Sequence, residues 1–200
     1  MGGVLRPLRM LLSALALAGL AGCVHMTAPG YQPGVSNTEA LLRSPGQKIA
    51  VEDFVAAPDV NDTGLSVRGS PLTAPRDGKF STYLHDAAVR ELATAGRYDA
   101  ASPVRLSAIL MRNDLDSGAA KGHAVLSARF VVARDGARVY DRPVQVQHDW
   151  DSSFVGAIAI PAAVDNYVAA VQKLLGRLFD DPAFVRATGT PATAAAAGTR

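Results

Sequence analysis

"GHAVLSARFVVARDGARVYDRPVQVQHD", residues 122–149, decides the fold. Ala124, Leu126, Ala128, Phe130 and Val132 recur at every second position. Successive side chains on a strand point to opposite faces, so this spacing predicts one buried and one solvated side. Asp135-Gly136 follows. Asp-Gly between two alternating runs is a hairpin signal, because both turn positions need positive φ. Arg138 to Asp149 returns, with Val144 and Val146 inward and Gln145, Gln147 and Asp149 outward.

The neighbouring segments extend this pattern. Pro103 to Asn113 places Val104, Leu106, Ala108 and Leu110 on one face and reads as a strand. Lys79 to Ala95 has Phe80, Leu84, Ala87, Ala88 and Leu92 at helical spacing, an Asp86–Arg90 pair on another face, and Gly96 at the C′ position. Gln47 to Ala56, with Ile49, Val51 and Phe54, reads as a first strand. Pro161 to Phe179 carries an apolar stripe through Val164, Tyr167, Val168, Val171, Leu174, Leu175, Leu178 and Phe179 and reads as the last helix. The order is strand, helix, strand, strand, strand, helix. It predicts an α+β domain over residues 47–187, a mostly antiparallel four-stranded sheet with helices packed mainly on one face.

The flanks have a different composition. Arg6 and Arg9 precede an apolar stretch, Met10 to Gly22. A membrane-spanning helix needs about 20 apolar residues, so this stretch reads as a signal peptide over residues 1–22. Leu20-Ala21-Gly22-Cys23 resembles the bacterial lipobox, and Cys23 is the one cysteine in the 200-residue chain. The resemblance implies signal recognition through Leu20, Ala21 and Gly22. It further implies a diacylglycerol on the Cys23 thiol, cleavage before it, and fatty acylation (palmitate) of the new amine. Val24 follows, where an aspartate would retain the protein in the inner membrane. The expected location is therefore the outer membrane, lipid-anchored and facing the periplasm. Residues 23–46, rich in Pro and Gly, read as the lipidated cysteine and a flexible tether reaching roughly 26 Å. Residues 188–200 read as a disordered tail.

Charge excludes one class of partner. The full chain has a formal net charge of +2, and loss of Arg6 and Arg9 leaves 18 basic residues against 18 acidic. No Lys/Arg cluster of the kind that tracks phosphates occurs, so no nucleic-acid partner is expected.

Chemistry-bearing motifs are sparse. There is no G-x-S-x-G elbow and no S-x-x-K, and no catalytic residue is assigned. Ser152 and Ser153 lie near His148 and Asp149, but triads are assembled from distant segments, so these read as a polar turn. His25, His85, His123 and His148 lack metal-ligand spacing, and no metal or cofactor is expected. Residues 57–78 form a long loop rich in Pro, Gly, Asp and Ser, with Arg68 and Arg76 as candidate contacts for an anion or partner. The run "WDSSFVGAIAIPAAVDNY", residues 150–167, reads as a buried lead-in to the last helix. If it projects, it offers Trp150, Phe154, Ile158 and Ile160 to a partner or ligand.

The lipobox, "KIAVEDF", "GKFSTYLHDAAVRELATAGRYD", "WDSSFVGAIAIPAAVDNY" and "LLGRLFDDPAF" together resemble small Gram-negative lipoproteins of the YajG-like group. More distantly, "VAVxxF" followed by a helix ending "ELxxAGxxD" resembles the fold of the TolB amino-terminal domain, LpoB and CsgG. The resemblance implies a fold rather than a reaction. It leads to an expectation of a non-enzymatic accessory module in envelope assembly or maintenance, bound to the membrane through Cys23 and to an envelope protein. The alternative is an accessory for lipid or another apolar ligand, which requires a cavity lined by Val155 to Ile160 and the last helix.

Overall fold

The structure is a computed structural model and describes residues 26–190. Seven strands and four helices follow in chain order: β1 (Met26–Thr27), α1 (Val35–Arg43), β2 (Ala50–Ala56), β3 (Leu65–Val67), β4 (Ser70–Thr73), α2 (Phe80–Thr94), β5 (Val104–Ser117), β6 (Lys121–Arg134), β7 (Ala137–Asp151), α3 (Gly156–Phe179) and α4 (Pro182–Thr188).

The four-stranded sheet has the order β2-β5-β6-β7. β5, β6 and β7 form an antiparallel meander, and β2 joins β5 in parallel after the α2 crossover. The hairpin between β6 and β7 turns at Asp135 (φ 51°) and Gly136 (φ 80°), the two positive φ values expected of Asp-Gly. Ala124, Leu126, Ala128, Phe130 and Val132 are all buried on the helix side. On β5 the alternation changes phase. Leu110 pairs with Ala128 and Arg112 with Ser127, so Met111 is the extra residue of a bulge. Beyond it the inward positions are Asn113 and Ser117.

α2 and α3 cover one face of this sheet. From α3, Ala163, Tyr167, Ala170, Val171, Leu174 and Leu178 are buried in the shared core. Each fully buried leucine contributes about 1.5–3 kcal/mol. β7 is an edge strand, and Pro143 stands where a missing N–H leaves no sheet partner unsatisfied.

The structure corrects five sequence-level expectations. Residues 26–46 are not a tether: they form β1 and α1, with Tyr31, Ala40 and Leu41 buried. Residues 57–78 are not one long loop, because β3 and β4 form a hairpin inside them and β1 adds to it in parallel. The last helix starts at Gly156 rather than Pro161, so Pro161 lies within its second turn. The fold also runs past 187. Thr188 is buried, and its carbonyl accepts from Gln47 N at 2.9 Å. Asp86, expected to pair with Arg90, pairs instead with Arg76 at 3.0 Å and His85 at 2.9 Å.

Candidate functional site

At the end of the sheet opposite the Asp135-Gly136 turn, three segments converge on Arg68. Arg68 (φ 51°) and Gly69 (φ 80°) are the two turn residues between β3 and β4. An arginine in the left-handed region costs about 1–2 kcal/mol. Its side chain offsets that cost. Nε donates to Ser117 O at 2.9 Å, and Nη2 to Gly118 O at 2.7 Å and Ser153 O at 2.6 Å. Nη1 donates to Phe154 O at 2.9 Å. The guanidinium's fixed fork of donors suits this arrangement, where a lysine's point charge would not. All four acceptors are neutral carbonyls, so they leave its charge uncancelled.

The segment that Arg68 holds is apolar and outward-facing. Phe154 is 85% exposed, Val155 54% and Ile158 61%. Ile158 and Pro161 are i, i+3 neighbours on one face of α3, Pro161 is exposed too, and Phe154 stands just before the N-cap Val155. Ala159 and Ala163, on the opposite face, are fully buried. The run is therefore divided: one side is core, the other an apolar facet in solvent.

The remaining candidates are placed as follows. Trp150 is 9% exposed and packs over Gly122, where a Cβ would lie 2.2 Å from Trp150 Cε2. It belongs to the core. Ile160 is partly buried against the core. Arg76 is engaged by Asp86 at a separate cleft of about 350 Å3, which Asp53, Asp62, Lys79 and His85 also line. The structure thus joins Arg68 with Phe154 and Ile158, and separates Arg76, Trp150 and Ile160 from them. Leu20, Ala21, Gly22, Cys23 and His25 lie outside the described residues.

The serines near Trp150 serve the turn. Ser153 Oγ accepts from Val155 N at 3.1 Å, and Ser152 N donates to Ala120 O at 2.9 Å. His148 stacks on Trp150 and places Nε2 at 2.9 Å from Asn166 Oδ1, away from both serines. Among the described residues, no group of three or more His, Cys, Asp or Glu side chains could hold a metal ion.

One determinant escaped sequence reasoning. Glu91 on α2 is fully buried, and its Oε1 accepts from Tyr31 OH, Gly34 N at 2.9 Å and Asn37 Nδ2 at 2.8 Å. These bonds fasten the N-terminal segment to α2. Burial and the bond to Glu91 push the Tyr31 phenol well above the usual range. Asn37 also reaches α3, donating to Gln172 O at 2.9 Å. The only sequence signal was a glutamate inside an otherwise apolar helix face, and its partners are 54 to 60 residues away.

The face of the sheet away from the helices is open. Val55 and Ile109 are paired across β2 and β5, and both are exposed, as is Met111 at the bulge. No helix among the described residues is long and apolar enough to cross a membrane.

No family model matches the sequence, and no curated protein matches it. Among solved structures, the chain is similar to protein XCC0632 from Xanthomonas campestris, of the DUF330 family. That similarity has a TM-score of 0.54 at 17% identity and covers 82% of this chain and 93% of that one. A candidate lipoprotein from Caulobacter crescentus CB15 gives a TM-score of 0.41 at 19% identity, over 75% of this chain and 96% of that one. At such identity the Xanthomonas protein shares the fold.

Proposed function

We propose that the chain is a lipoprotein held at the outer membrane, facing the periplasm, through an acylated Cys23. In this reading it is a non-enzymatic interaction module that assists envelope assembly or maintenance. One observation carries this. The lipobox-like Leu20-Ala21-Gly22-Cys23 ends three residues before β1, so an anchor on Cys23 would lead directly into a folded domain. A single acyl chain binds membranes marginally, whereas two or more hold stably. The resemblance to YajG-like lipoproteins and, more distantly, to the TolB amino-terminal domain, LpoB and CsgG supports the same reading.

The open sheet face suits an envelope-protein partner. Val55, Ile109 and Met111 present apolar surface there beside Arg105 and Arg112. The alternative, an accessory for apolar ligands, has less support. The segment that would line its cavity divides between core (Ala159) and solvent (Val155, Ile158). In-cell photocrosslinking from Val55 and Ile109, read by mass spectrometry, tests the interaction role. A reproducible crosslink to an envelope protein is the expected result, and its absence at both positions in intact cells contradicts it.

A further inference from the structure

We propose that Phe154, Val155 and Ile158 insert into the surface of the same bilayer that holds the Cys23 anchor, so that the domain docks on the membrane in one fixed orientation. This rests on the lipoprotein reading above.

Met26 pairs with Leu72 and Thr27 with Thr73, in parallel. Followed toward its N-terminus, β1 therefore heads for the end of β4 that starts at Ser70. That end is the Arg68-Gly69 turn, and Leu72 lies about 10 Å past Gly69 on an extended strand. Cys23 is three residues before Met26, no more than about 11 Å away even at full extension. Arg68, in that turn, binds the carbonyls of Ser153 and Phe154. The anchor and the apolar facet thus belong to the same end of the molecule. A bilayer holding Cys23 cannot be far from Phe154.

The facet has the chemistry of an interfacial membrane contact. Such helices bury one apolar face a few ångströms deep at the headgroup boundary, between about 5 and 10 Å. Ile158 and Pro161 give that face, Phe154 and Val155 extend it at the helix entry, and the exposed Asp165 ends it one turn later. No charged residue occurs from Phe154 to Val164. Charged groups sit at the rim, where Lys121 pairs with Asp151. The Arg68 guanidinium, held only by neutral carbonyls, adds positive charge beside the facet. The opposite end of the sheet carries Arg138 paired with Asp141 near the hairpin turn.

The test uses the acylated full-length chain reconstituted in phosphatidylethanolamine/phosphatidylglycerol vesicles. Cys23 is the only cysteine, so acylation leaves an introduced thiol as the single labelling site. Phe154→Cys and Ile158→Cys carry an environment-sensitive fluorophore. Val139→Cys, exposed near the far hairpin, is the reference. The expected result is blue-shifted emission at 154 and 158, quenched by nitroxide-labelled lipid, with neither effect at 139. If the acylated chain shows equal, weak quenching at all three positions, the docking proposal fails while the lipoprotein reading stands. Burial of 154 without lipid quenching, together with a crosslink to a second copy or another protein, assigns the facet to protein contact and also overturns it. A mass showing unmodified Cys23 overturns the lipoprotein reading, and the proposal with it.

Discussion

Arg68 donates to the carbonyl oxygen of Phe154 across 86 residues of sequence, at 2.9 Å. Together with the bond to Ser153, it fixes the start of α3 to the β3–β4 turn. Asparagine tolerates the left-handed conformation at this turn but cannot reach the carbonyls. Arg68→Asn therefore separates the clamp from the turn. The substitution is expected to leave the β3–β4 hairpin intact and to increase hydrogen exchange at residues 153–158. It should lower stability by about 1–2 kcal/mol, since hydrogen bonds from a charged donor are worth about 1.5–3 kcal/mol before the discount for solvent exposure. Unchanged exchange at 153–158 contradicts a clamping role.

Glu91 should govern the N-terminal segment. Glu91→Leu removes the acceptor shared by Tyr31, Gly34 and Asn37 and leaves buried donors unpaired. The expected loss is about 3 kcal/mol, from a typical 1–3 kcal/mol per stranded buried group and incomplete relaxation. Limited proteolysis should then cut within residues 26–46 before the rest of the domain. Cleavage beginning elsewhere would show that other contacts hold this segment.

The chain has one tryptophan, and Gly122 lies directly beneath it. A Cβ at 122 would overlap the indole, so Gly122→Ala must displace Trp150 or shift β6. Overpacking of this kind costs about 1–3 kcal/mol. Tryptophan emission should move to longer wavelength as the ring becomes solvated. An unshifted spectrum with native stability would contradict the tight β6–β7 contact.

Alkaline pH should unfold the domain through its tyrosines. Burial pushes the Tyr83 phenol up to about 12, and Tyr31, Tyr140 and Tyr167 are raised as well, burial again being the largest cause. A group whose pKa is raised in the folded state contributes stability fully below its unfolded value, here about 10, and loses it as pH rises through the folded value. Stability should thus fall between about pH 10 and pH 12, with phenolate absorbance and loss of near-ultraviolet dichroism rising together. Ionisation of more than one of the chain's five tyrosines at pH 10, while the chain stays folded, would contradict the burial of these rings.

The sheet was legible because period-two alternation from Ala124 to Val132 has a single geometric reading, and Asp135-Gly136 fixes its turn. Beyond Met111 the same logic fails. A bulge reverses the inward face, so Asn113 rather than its neighbours points into the core, where it accepts from Tyr167 OH at 2.8 Å. The N-terminal segment is not legible in the sequence because its Pro and Gly content resembles a linker, while its burial depends on Glu91, more than 50 residues away. The run from Phe154 to Ile160 was ambiguous for the opposite reason. A uniformly apolar helix turn has no polar face to mark which side meets water, so Phe154 and Ile158 could be placed outward, and Ile160 partly inward, only from the structure.

The correction to residues 26–46 changes what the anchor does. A flexible tether would let the domain move freely beneath the membrane. With β1 starting three residues after Cys23, an acylated cysteine would hold the domain against the bilayer.

The most direct measurement is the mass of the mature amino terminus after expression of the full-length chain in a Gram-negative host. The account predicts a peptide beginning at Cys23 that carries a diacylglyceryl thioether and an amide-linked fatty acid, with Cys23→Ala leaving the chain unprocessed and unacylated. A mature terminus at any other residue, or an unmodified Cys23, would contradict it.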